Sequence, residues 1–251
     1  MTKVPEVTLG FWVVKILATT LGETGGDTLS MTLQLGYLAS SGIFLVILAV
    51  CVAAQIAAKP FHPALYWLTI VASTMAGTTM ADFFDRSLGV GYAGGSALLF
   101  GCLIASLAAW HVKEGSVSVL SVSTPRVEAF YWLVITFSQT LGTALGDWAA
   151  ASGLGYDGGA VVFAGALAVV AALYFCTNVS RVALFWAAFV LTRPLGATIG
   201  DFLDKPIANG GLDISRPLAS LVIAVAMIVL VAVIPQRAGR HPGGAAGQTP
   251  G

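Results

Sequence analysis

Charge is scarce in this 251-residue chain: only 10% of its residues are Asp, Glu, Lys or Arg, against roughly 25% in an ordinary soluble domain. With 57% hydrophobic residues, the chain lacks the polar surface that water would require. Cysteine and histidine are scarce too. Cys51, Cys102 and Cys176 stand far apart in apolar runs, which excludes a disulfide framework and any cysteine-based metal spacing. The three histidines, His62, His111 and His241, fall in connecting or terminal segments. No glycine-rich phosphate loop, serine–histidine–aspartate set or paired-histidine protease motif is present, so the sequence calls for neither an enzyme nor a cofactor. The balance of 12 basic and 12 acidic residues gives no nucleic-acid signal.

What is there is repetition. Trp12, Trp67, Trp132 and Trp186 each precede an aspartate by 15 residues: Asp27, Asp82, Asp147 and Asp201. Ten residues after each tryptophan stands a glycine, and fourteen after stands Gly26, Ala81, Gly146 or Gly200. The small-xxx-small spacing suits close helix packing, with helix breaks at Gly25-Gly26 or Arg193-Pro194 as the alternative. Charge-free runs follow each copy, the first from Leu38 to Ala58, and Leu-Gly-Tyr or Val-Gly-Tyr marks the turn in three copies. The expected fold is all-α and membrane-integral. Eight transmembrane helices would form four tandem two-helix repeats, with a pseudo-twofold axis along the membrane normal. Residues 1–112 form the first half, 113–127 a polar connection, 128–235 the second half, and 236–251 a disordered tail. Lys and Arg in the loops number seven on the side of the termini and three on the other, which predicts cytoplasmic termini in the inner membrane. Trp would then lie near the inner interface, and Lys15 would snorkel there.

At about 100° per residue, positions seven, eight, eleven, fifteen and eighteen after each Trp share one helix face. That face collects Thr20, Glu23 and Asp27; Thr78, Asp82 and Asp85; Thr140, Thr143 and Asp147; and Arg193, Asp201 and Asp204. A charge in the bilayer is costly, so these stripes should turn inward around one axis. They are the candidate path for a proton or a small cation. Oxygen ligands favour a hard ion over a soft metal, and the bilayer is the one partner composition demands. Arg193, too deep to snorkel, should pair with Glu23 or Asp147. The alternative role for the stripes is helix packing alone, in a structural or assembly protein.

The motif, read in the first copy as Trp12 followed by Thr20-Leu21-Gly22-Glu23-Thr24-Gly25-Gly26-Asp27, resembles that of bacterial uncharacterised membrane-anchored proteins built from a fourfold repeat of unknown function. The resemblance covers residues 8–235. It implies an inner-membrane protein of eight helices and brings no reaction with it. Glu23 and Gly25 in the first copy, and Arg193-Pro194 and Ala197 in the fourth, depart from the pattern, which suggests unequal roles for the four stripes.

Overall fold

A computed structural model describes residues 2–239. It contains α1 (Leu9–Asp27), α2 (Gly36–Ala57), α3 (Pro63–Asp82), α4 (Tyr92–Glu114), α5 (Pro125–Ala149), α6 (Gly155–Cys176), α7 (Arg181–Asp204) and α8 (Arg216–Val233). Among the described residues there is no strand, only an isolated bridge between Pro5 and Ala238. Five stretches are long and apolar enough to cross a membrane: Gly36–Ala57, Tyr92–Glu114, Pro125–Cys176, Arg181–Asp204 and Arg216–Val233. The third holds both α5 and α6, which reverse through Gly153 at φ 95°. The apolar helices are compatible with insertion into a membrane.

The polar helices form a closed ring in which α1 packs on α3, α3 on α5, α5 on α7, and α7 back on α1. The small residues make this possible. Gly22 faces Thr74, Gly77 faces Gln139, Gly142 faces Arg193, and Gly196 faces Thr19. Each glycine ten residues past a Trp therefore receives the residue seven past the Trp of the next copy. A β-carbon on Gly77 would lie 2.9 Å from the Gln139 carbonyl carbon, so backbone meets backbone there without room for a methyl group. One turn on, Gly26 receives Thr78, Gly146 receives Ala197, and Gly200 receives Glu23. The ring helices run unbroken through Gly25-Gly26 and through Pro194, so the small residues serve packing and the break-point alternative fails.

Each plain helix leans on the polar helix of the following copy: α2 on α3, α4 on α5, α6 on α7, and α8 on α1. Their outer faces expose apolar side chains such as Val46, Val50, Val161 and Ile228. After the repeated Asp, the first three polar helices widen into a π-helical turn: Thr28–Thr32, Phe83–Ser87 and Ala150–Leu154. In the fourth copy the chain turns away at Lys205-Pro206 instead, since proline has no N–H to continue the helix.

The tryptophan end is closed, and one expectation changes there. Trp67, Trp132 and Trp186 are buried against Phe11, Tyr66, Tyr131, Trp110 and Phe189. The four-helix ring has an interior to fill, and large aromatic side chains fill it. Lys15 does not snorkel. It is fully buried, with Nζ 3.4 Å from Thr192 Oγ1 and 4.1 Å from the centre of the Phe189 ring. Below this layer the amino-terminal segment crosses the ring, pairing Lys3 N with the Val122 carbonyl and Lys3 Nζ with Glu128 at 2.7 Å. In the stretch expected to be disordered, Arg237 accepts from Glu6 N and Gly239 donates to the Val4 carbonyl. Residues 240–251 of that stretch lie outside the described residues.

Candidate functional site

The four stripes do turn inward, and they form two layers. The deeper layer is centred on Arg193, which is buried completely. The groove at Gly142 admits its stem. Its Nη2 donates to Thr78 Oγ1 and Thr143 Oγ1 at 2.5 Å and pairs with Glu23 Oε2 at 3.1 Å; Nη1 reaches the Thr19 carbonyl at 3.5 Å. Three copies thus supply position eleven, Glu23, Thr78 and Thr143, and the fourth supplies an arginine from position seven. Ala197 leaves the fourth quadrant small. Of the two partners expected for Arg193, Glu23 is the one found; Asp147 belongs to the next layer. Beside Arg193 on the ring, Gln139 is buried, and neither atom of its amide finds a hydrogen-bond partner among the described residues.

The outer layer holds the repeated aspartates, all buried. They are tied two by two. Arg86 Nε lies 2.9 Å from Asp82 Oδ1, and its Nη2 donates to Asp147 Oδ2 at 3.1 Å. Lys205 Nζ contacts Asp27 Oδ2, lies 2.8 Å from Asp201 Oδ1 and 3.7 Å from Asp204 Oδ1. Both cations stand four residues after their own Asp, so the i,i+4 helix spacing makes the first contact and the ring makes the second, to the next copy. Arg216, at the start of α8, adds 3.6 Å approaches to Asp27 and Asp204. Burial works against the Lys205 ammonium, but Asp201, Asp27 and Asp204 outweigh it and push its pKa upward.

The remaining candidates are less central. Asp85 is buried with its carboxylate against Gly95 near the amino-terminal end of α4, where the helix dipole favours negative charge. Thr20 and Thr140 bond the carbonyls of Ile16 and Thr136 on their own helices, at 3.0 and 2.9 Å. Gln139 carries no charge and so does not stand out from the repeat pattern, and Lys15 is buried where an interfacial place is expected. The turn tyrosines recur in the sequence and meet the site only in the fold: Tyr37 Oη accepts from Arg86 Nη1 at 3.2 Å.

A pocket of about 180 Å³ opens onto this layer, lined by Arg86, Asp147, Tyr92, Tyr156 and Asn209, with Gly155 and the start of the α5–α6 turn. Carboxylate oxygens of Glu23, Asp27 and Asp201 also come within 4.8 Å of one another, a spacing a metal ion could use. Lys205 already contacts two of the three, which supplies positive charge where an ion would sit.

No curated protein and no solved structure matches the chain. A family model does, four times over, at residues 10–60, 65–116, 130–180 and 184–235, the same four copies that build the ring. Those matches span more than four-fifths of the chain, which therefore belongs to the family described as Repeat of Unknown Function (DUF347).

Proposed function

We propose that this is an eight-span bacterial inner-membrane protein, both termini cytoplasmic, that carries a small solute along the axis of its polar ring without altering it chemically. The observation that carries the reading is the column of buried polar groups from Lys15 through Arg193 and Glu23 to the four aspartates. A ring that only had to hold together in lipid could do so with small and apolar residues. Ionisable groups at membrane depth are costly and mark paths. The Arg193–Glu23 pair closes this path, and the pocket at Arg86 and Asp147 is its mouth on the outer side. A pseudo-twofold axis along the membrane normal is supported by the matched work of Arg86 and Lys205 in the two halves, 1–112 and 128–235. Because Lys205 supplies the charge among Glu23, Asp27 and Asp201, an organic solute or a proton suits the path better than a hard metal cation.

The test is uptake into proteoliposomes of manganese, magnesium, calcium, protons and small organic solutes, for the native protein and Asp147→Asn. Saturable flux of one species, lost in a variant that keeps its thermal midpoint, establishes the path. Folded native protein that moves none of them removes the transport reading. The second reading, an assembly or structural component, draws on the pairing of every repeated Asp with a cation. It predicts no flux of any species, and a lower thermal midpoint as the effect of Asp82→Asn and Asp147→Asn together.

A further inference from the structure

The repeated Gly-Tyr turn has no part in the path just described, yet the fold gathers its tyrosines from three copies. Tyr37 bonds Arg86 from one side, while Tyr92 and Tyr156 line the pocket on which the guanidinium opens. A cavity of about 150 Å³ holds a six-carbon ring, so this one admits a solute of roughly six to eight non-hydrogen atoms.

The charges around the pocket select among such solutes. Arg86 contacts Asp82, Asp147 and Tyr37, with the Tyr92 hydroxyl also beside it, and the five N–H donors of a guanidinium exceed what these four use. Asp147 accepts from Arg86 through Oδ2 alone, which leaves Oδ1 without a donor among the described residues. A lone anion would meet two carboxylates against one guanidinium. A lone cation would sit against Arg86 itself. A molecule bearing both signs places its ammonium on Asp147 Oδ1 and its carboxylate on the remaining Arg86 N–H and the Tyr92 hydroxyl. Tyr92 and Tyr156 supply ring faces and hydroxyls, and the Asn209 amide can donate and accept. We infer that the pocket binds a compact zwitterion of the size of a small amino acid. The matching place beside Lys205 cannot do this. Its turn lacks the tyrosine, and the segment after Lys205 folds back so that Gly211 packs on the Lys205 carbonyl.

The inference names the solute class of the proposed path, but it is tested by binding alone. The full chain in detergent is titrated calorimetrically, at constant ionic strength, with glycine, L-alanine and L-serine, and with methylammonium chloride and sodium acetate as the single-sign halves. Saturable binding of at least one zwitterion is expected, with either half weaker by about tenfold or more. Asn209→Ala, an exposed change that removes no packing, and Asp147→Asn should each weaken it by a similar factor. Three outcomes would overturn the inference: no saturable zwitterion binding, a half that binds as tightly as the whole, or binding unchanged in both variants. Binding without flux would sink the transport reading and leave the site standing; flux of another solute with no zwitterion binding would do the reverse.

Discussion

Arg86 and Lys205 hold the same repeat position in the second and fourth copies, and each ties its own aspartate to that of the next copy. They differ in what surrounds them. The Arg86 side chain is 32% exposed and borders the pocket, with two carboxylates and a tyrosine hydroxyl around it. The Lys205 side chain is 9% exposed, meets three carboxylates, and is backed by Arg216 and the folded-back turn. Repetition set up two equivalent nodes; divergence of one turn sealed one and left the other open to small molecules. Equivalence by sequence is thus no guarantee of equivalent chemistry.

The comparison can be broken most forcefully at the sealed node. Lys205→Met leaves Asp27 and Asp201 buried without their main partner and should cost about 3–5 kcal/mol, read as a large drop in the thermal midpoint in detergent. Arg86→Met, with water able to reach the abandoned carboxylates, should cost less, on the order of 1–3 kcal/mol. Equal losses would mean that the two nodes are equally dry. Gly77→Ala tests the ring itself, since its methyl would strike the Gln139 backbone; a loss of about 1–3 kcal/mol is expected. Tyr37→Phe removes one hydroxyl from the half-open node and should shift stability by only about 0.5–1.5 kcal/mol. A larger shift would show the tyrosine to be part of the node's framework.

Much of this architecture was legible because it recurs. The period of the Trp and Asp gave four copies, the face angles gave inward stripes, and the depth of Arg193 required a carboxylate. The pairing of Arg193 with Glu23 rather than Asp147 was not legible, because both lie on the shared face and only the stagger between α1 and α7 sets Glu23 in reach. The burial of Lys15 is hidden from the sequence for a related reason: a lysine near an apolar helix end usually reaches outward, but here the ring surrounds it. The tyrosines were visible as a pattern but not as neighbours, since they come from turns up to 119 residues apart.

The sequence alone determined the helices, their repetition, and which face of each could not meet lipid, because side-chain polarity and helical period are local properties. The tertiary structure decided the order of the ring, the lean of each plain helix on the following copy, and which cation neutralises which carboxylate. These depend on where the chain closes: α7 and α8 both return to α1, and that closure brings Lys205 and Arg216 of the last repeat against Asp27 of the first.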